Sequence, residues 1–457
     1  MKNRSRSRLL LAGLTVGMAA AVSVADTTES FAQSEPQPDE NAIIASFTIM
    51  GDASGAAMPL PKLGMIPSIS AEIEDATLNS VARRDLDLCG EFEVMPDSSA
   101  PDGAYADKVD SKAWKEKGAE YLVRVSAHKV NDSTVELRGQ GFIVEVGDDP
   151  LYDKKFQVPL ADLRVESHRL TDLLIGALTG HNGSFASHMT FALGSGGVRQ
   201  VYTMDADGFN AKSISPANRV ALAPTYGPNE ELYYSGSENK DIYKVYNTTS
   251  PNALPLNVDG SVYGLTWSKD RSQVAVAIGV SDSIKLFLGP SLDKLQPHGS
   301  VGGVLRPQFT PEGKLLFAGD GHFGSRIYVD DQPITPDGIY ASSPSYCRSP
   351  DGDHIVFSVS VGGNASDILT TSERGGGIGR LTAGSAMNSS PACSPDGRLV
   401  AFFSTRKSGE GSGLYVMRTD GRHLKRVSTL VGDSLRWDPL PPGKISDPDA
   451  VKSKDAK

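Results

Sequence analysis

Six times between residues 226 and 437, one residue stands directly before a cluster of turn formers: Tyr226, Trp267, Phe309, Arg348, Cys393 and Trp437. The intervals are 41, 42, 39, 45 and 44 residues. The cluster reads Ser349-Pro-Asp-Gly and again Ser394-Pro-Asp-Gly, with Thr310-Pro-Glu-Gly a close variant. Proline sets φ at the first corner, the acidic residue bonds nearby backbone, and glycine takes the left-handed position. Such a turn joins two antiparallel strands. Strand-like runs duly follow: Leu232-Tyr-Tyr-Ser, Val274-Ala-Val-Ala, Leu315-Leu-Phe-Ala, Ile355-Val-Phe-Ser and Leu399-Val-Ala-Phe-Phe-Ser. A period near 42 with short strands in every unit is the pattern of propeller blades.

The ends of the repeat array complement each other. His188 to Leu193 and Gln200 to Met204 supply second and third strands with no turn motif before them. Leu435-Arg-Trp-Asp-Pro supplies a first strand with nothing after it. Joined, they make a blade from both ends and leave no open edge, whereas an open sandwich of the same repeats would leave two. Six blades are expected over residues 183–441, followed by a disordered tail at 442–457.

The first part of the chain has a different texture. Ile43 to Met50 is strand-like, Ile73 to Leu86 has helical spacing, and Phe92 to Met95 reads as a strand. A short helix around Trp114, two alternating runs (Tyr121 to Val130, Thr134 to Val146) and a second amphipathic helix from Leu163 to Leu178 complete it. Interleaved helices and strands make residues 42–182 one α/β domain. The expected fold is therefore an α/β N-terminal domain followed by an all-β six-bladed β-propeller with terminal strand closure. With 47 glycines and 28 prolines among 457 residues, the turn-rich ring accounts for most of them.

Lys2, Arg4, Arg6 and Arg8 precede an apolar run from Leu9 to Ala25, the layout of a secretory signal peptide over residues 1–32. Cleavage after Ala25 or Ala32 suits the small residues there, and the polar residues 33–41 then form a flexible mature N-terminus. No later run is long enough to cross a bilayer, so no direct membrane insertion is expected. The net charge of −10 argues against nucleic acid as a partner.

Searches for chemistry return little. Neither Gly-x-Ser-x-Gly nor His-Glu-x-x-His occurs, and the eight histidines have no zinc-ligand spacing. No catalytic residue, cofactor or metal ligand is assigned, and an ion in the central channel is left open. Cys347 and Cys393 fall in the first strands of adjacent blades, which fan around the channel. Their Cα atoms are expected to lie beyond the ~7 Å that a disulfide tolerates. With Cys89 in the other domain, three buried, unpaired thiols are expected.

What is left is a surface. Loops leading into the first strands ring one mouth of the channel, and they present Arg219, Ser261, Tyr263, Leu305, Arg306, Tyr340, Ser342, Asn388, Ser389 and Arg436. Arginine, tyrosine and asparagine here suit a protein interface, and three arginines on an acidic protein suit an acidic partner.

The sequence resembles the TolB family, exported propeller proteins of the Tol–Pal envelope system of Gram-negative bacteria. The resemblance spans residues 42 to 441. It rests on Asp85-Leu-Asp-Leu-Cys-Gly-Glu-Phe, Trp114, Gly118-Ala-Glu-Tyr-Leu-Val, His168-Arg-Leu-Thr-Asp, Leu178-Thr-Gly-x-x-Gly-Ser-Phe and Tyr202-Thr-Met-Asp-Ala-Asp-Gly-Phe-Asn. The second and third blades depart from the family, with Tyr-Gly-Pro-Asn-Glu and Trp-Ser-Lys-Asp-Arg at the usual turn. The resemblance implies a monomeric, non-enzymatic adaptor in the periplasm. Its propeller mouth would bind Pal, the peptidoglycan-associated lipoprotein. Its mature N-terminus, with Glu35, Asp39 and Glu40, would contact TolA, and the link would support outer-membrane integrity and constriction in division. The alternative is a propeller that binds, or hydrolyses, a small ligand or glycan.

Overall fold

The structure, a computed structural model, describes residues 48–49, 59–195, 198–238, 241–349, 352–384 and 386–445. The basic leader, the segment 33–41 and the tail from residue 446 lie outside these. Of the strand expected at Ile43 to Met50, only β1 (Thr48–Ile49) is described. It pairs in parallel with Gly379–Arg380, on the outer edge of a propeller blade, not with the first domain.

That first domain is a five-stranded sheet covered by helices. Strands β2 (Lys62–Met65), β3 (Glu93–Val94), β4 (Tyr121–Asn131), β5 (Thr134–Ile143) and β6 (Tyr152–Pro159) lie in the order β3-β2-β4-β5-β6. Helices α1 (Ile73–Leu88) and α3 (Leu163–Thr179) pack against it, with the short α2 (Ser111–Glu116) beyond. Leu78, Val81, Ala82 and Leu86 bury one stripe of α1 at helical spacing. Ile73, counted in that stripe from sequence, lies before the stripe closes and is 76% exposed. Gly139 on β5 makes room for α3, since a Cβ there would stand 2.8 Å from Leu170 Cδ1. Helix α3 ends at Gly180, whose φ of 87° needs glycine. Strand β6 has no apolar alternation, because Asp153, Lys154 and Lys155 occupy an exposed edge.

Six more sheets, among the described residues, form the propeller. In blades two to six the chain runs from the innermost strand outward, starting at Val220–Tyr226, Ser261–Trp267, Leu305–Phe309, Ala341–Cys347 and Asn388–Cys393. The repeated turn works as its residues require. Gly313 and Gly397, at φ of 83° and 71°, donate to the carbonyls of Thr310 and Ser394. In the divergent third turn Arg271 takes the glycine's place at φ 61°, and Asn229 and Glu230 do so in the second, at 59° and 57°.

Closure comes from the C-terminal strand. Asp433–Pro439 is the innermost strand of blade one and pairs antiparallel with Ser187–Ser195, Trp437 opposite Met189. The Trp437 side chain is 7% exposed, and its Nε1–H donates to Ser187 Oγ at 2.7 Å.

Two expectations need correction. Cys347 and Cys393 form a disulfide, with Cα atoms 5.3 Å apart. Innermost strands converge on the channel, so neighbours are closer there than the fan of the blades suggests. Cys89 alone is free, and burial pushes its thiol up to about 12. The tail is also ordered further than expected. Glu166 of α3, buried, accepts the backbone N–H groups of Lys444 and Ile445 at 2.8 Å each, and Ile445 is buried.

The two domains share one apolar cluster, in which Leu78, Leu86 and Leu174 join Phe191, Met204 and Phe403. Polar contacts frame it. Arg84 donates to the carbonyls of Asp207, Arg426 and Val427, and Arg418 donates to the carbonyl of Gly90 and to Glu91. Asp172 of α3 accepts the N–H groups of Phe185 and Ala186, where the chain leaves the first domain, and burial pushes its carboxyl up to about 8.

Two outcomes follow from this architecture. Trp437→Ala should lower the unfolding free energy by about 3–5 kcal/mol, read by denaturant titration, because it empties the closing strand's core position. Thiol titration of the unfolded, unreduced protein should find one reactive thiol, rising to three after reduction.

Candidate functional site: the channel of the propeller

Every innermost strand carries a bulge where its register with the second strand slips. In five of the six the bulge holds a non-glycine residue in the left-handed region: Ala223 (φ 51°), Arg306 (55°), Ser343 (50°), Ser390 (51°) and Ser434 (58°). Each such residue costs about 1–2 kcal/mol. Blade three places Gly264 beside its slip instead. A bulge bends the strand and re-aims its side chains. Here the bulges face one another across the axis, and with Gln308, Arg436 and Asp438 they line a cavity of about 60 Å³. That is room for a few waters or the tip of one side chain.

Its charge is unevenly balanced. Asp433 pairs with Arg199 and also lies 3.4 Å from Arg306 Nη2. Arg436 spends its guanidinium on backbone, donating from Nη2 to the carbonyls of Leu265 at 3.2 Å and Pro307 at 2.9 Å. Two arginines, Arg306 and Arg436, and one acid, Asp438, thus line the cavity, with the Arg199–Asp433 pair beside Arg306. Arg306 keeps 28% of its side-chain exposure, yet its surroundings are crowded. Burial, with Arg199 and Arg436 close by, pulls its guanidinium down to about 9, which leaves it charged at neutral pH. Burial also pulls Arg436 down, with Asp438 opposing. Cationic donors that outnumber acids in a confined space are chemically suited to an anionic group.

The residues expected at the mouth do not all gather there. Arg306 and Arg436 line the cavity. Tyr340 and Ser342 are exposed, while Ser261, Tyr263, Leu305 and Ser389 are half-buried. Ser261 Oγ accepts the Tyr243 N–H. Arg219 is buried inside blade two, donating to Tyr234 Oη, Glu238 and the Pro251 carbonyl, with its guanidinium 3.7 Å from the centre of the Tyr246 ring. Asn388 is buried too, bonded to Ser404 Oγ and the Ser366 carbonyl between strands. The proposed N-terminal contacts Glu35, Asp39 and Glu40 lie outside the described residues.

Arg199, Asp433, Gln308 and the bulge serines escaped the sequence reading. A signal for the bulges exists: proline follows the strained residue at Pro224, Pro307, Pro344 and Pro391. A proline recurring inside an otherwise central strand marks a bulge.

Comparison with known proteins agrees with this architecture. Residues 60–141 match the TolB amino-terminal domain. The Tol-Pal system protein TolB of Albidiferax ferrireducens is 28% identical over 224 residues, which are 48% of this chain and 51% of that protein. Its counterpart from Geobacter sulfurreducens is 29% identical over 151 residues, covering 33% of this chain and 34% of its own. The chain therefore spans about half or less of the curated relatives it matches. The crystal structure of TolB from Acinetobacter baumannii superposes with a TM-score of 0.70 at 20% identity, over 86% of this chain and 99% of that one. Residues 60–141 thus match the TolB amino-terminal domain in sequence, and the chain as a whole is similar to TolB in its fold.

Proposed function

We propose that the chain is a non-enzymatic adaptor of the periplasm. Its propeller mouth binds a Pal-like peptidoglycan-associated lipoprotein, and its mature N-terminus engages TolA. The observation that carries this reading is the channel: Arg306 and Arg436 stand at its wall with an excess of positive charge and room for one acidic side-chain tip. An acidic loop of a folded partner could cap the mouth and insert that tip. The export reading of residues 1–32 supports the compartment, and no helix among the described residues is long and apolar enough to cross a membrane. The name shared by the relatives supports a place in the Tol-Pal system. From that position the link would support outer-membrane integrity and envelope constriction in division.

Reversing both charges, Arg306→Glu with Arg436→Glu, should weaken capture of the lipoprotein on the order of 30-fold while circular dichroism stays unchanged. Unchanged capture by a folded double variant contradicts the site. Recovery of a glycan or small ligand in place of a lipoprotein would favour the alternative, a ligand-binding or hydrolytic propeller. Coupling between the two contacts is reciprocal if it exists. Deleting residues 33–41 should then change lipoprotein affinity, and equal affinity contradicts coupling.

A further inference from the structure

A second cluster lies where the two domains meet. Asp85 of α1, His168 of α3 and Asp207 of the first propeller hairpin are 0%, 2% and 1% exposed. One titratable atom of each stands within 4.8 Å of those of the other two. His168 Nδ1 lies 2.7 Å from Asp85 Oδ2. Asp207 is bonded elsewhere: Oδ1 accepts the Phe209 N–H, and Oδ2 pairs with Arg164. It therefore acts on the ring through charge alone. No donor reaches His168 Nε2, so nothing holds the ring neutral from that side.

The other charges at this seam come from every element packed there. Helix α1 adds Arg84, spent on the carbonyls of Asp207, Arg426 and Val427, and next to the helix the Cys89 thiol stays neutral. Helix α3 adds Arg164 and Asp172, and the hairpin adds Asp205, paired with Arg164. Asp172 is mostly protonated at neutral pH, since burial pushes it up to about 8. Burial also pushes Asp85 up to about 6, with His168 holding it down, so Asp85 is ionised there. Three carboxylates, Asp85, Asp205 and Asp207, then remain against two guanidiniums. A protonated His168 brings the charges level. Burial opposes that proton, but Asp85, by charge and by hydrogen bond, and then Asp207 outweigh it and push His168 up to about 9, against Arg164.

We propose that the His168 imidazolium is the counter-ion shared by Asp85 of the first domain and Asp207 of the propeller, so that the joint between the domains is tight in mild acid and loosens in alkali. A group raised in the fold contributes stability below its unfolded value and loses it as pH climbs through its folded one. For His168 that window runs from about 6.5 to about 9. Asp172, which holds the N–H groups of Phe185 and Ala186 at the exit from α3, acts in the same direction, because ionising it inside the seam costs more than in the unfolded chain. Asp85 is ionised in both states across this window and adds no slope of its own.

The test follows the full mature chain from pH 6.5 to 8.5 by urea unfolding and by hydrogen exchange corrected for its intrinsic pH dependence. The unfolding equilibrium constant should rise at least ~10-fold, and protection should fall at α3 and at the hairpin carrying Asp207. His168→Gln, which carries no charge at any pH, should lose most of that slope. In nitrogen NMR of the wild type, one of the eight histidines should still be an imidazolium at pH 8. No such imidazolium overturns the proposal. So does equal protection at both pH values, or a folded His168→Gln that keeps the whole slope. The NMR and exchange measurements need only the wild type, and they decide the matter if the variant fails to fold.

Discussion

The strand Asp433–Pro439 is the constraint on which the rest depends. It completes blade one by pairing with Ser187–Ser195, and so removes the two edges that an open array would expose. The same seven residues supply Ser434, Arg436 and Asp438 to the channel wall. Just beyond them, Lys444 and Ile445 dock on Glu166 of the first domain. Ring closure, channel charge and domain docking are therefore consequences of one segment finding one register. A slip of one residue would turn Arg436 out of the channel and Trp437 out of the core.

Much of the fold was legible because repetition leaves a periodic trace. The turn must contain residues that can adopt its corners, and it must recur at the length of a blade, so a cluster of turn formers every 42 or so residues, twice as Ser-Pro-Asp-Gly, was enough to count blades. The two divergent turns keep the same geometry at the cost of left-handed Arg271, Asn229 and Glu230. The disulfide was not legible. Pairing of Cys347 with Cys393 depends on how closely two innermost strands approach at the axis, which is a property of the closed ring and not of either strand.

The candidate site was half legible for a related reason. Residue type and position near the start of a first strand singled out Arg306 and Arg436, which line the cavity, but the same rule also chose Arg219. One register step turns that side chain into blade two, where Tyr234, Tyr246 and Glu238 surround it. Whether a side chain faces the axis is decided by the bulge, and the bulge is signalled by the proline after it more than by the arginine itself.

Strain and charge meet in the channel. Five left-handed residues and a surplus guanidinium are costs that a ring of this size carries only if the rest of the fold over-determines them. The central claim is that this mouth, and not the outer blade edges or the first domain, receives the lipoprotein partner. Photo-crosslinkers placed singly at Tyr340 on the rim, at Val198 in blade one and at Val146 on the first domain, all exposed, test it in living cells. The account predicts an adduct with a peptidoglycan-associated lipoprotein from Tyr340 alone. An adduct from Val198 or Val146, with none from Tyr340, would contradict it.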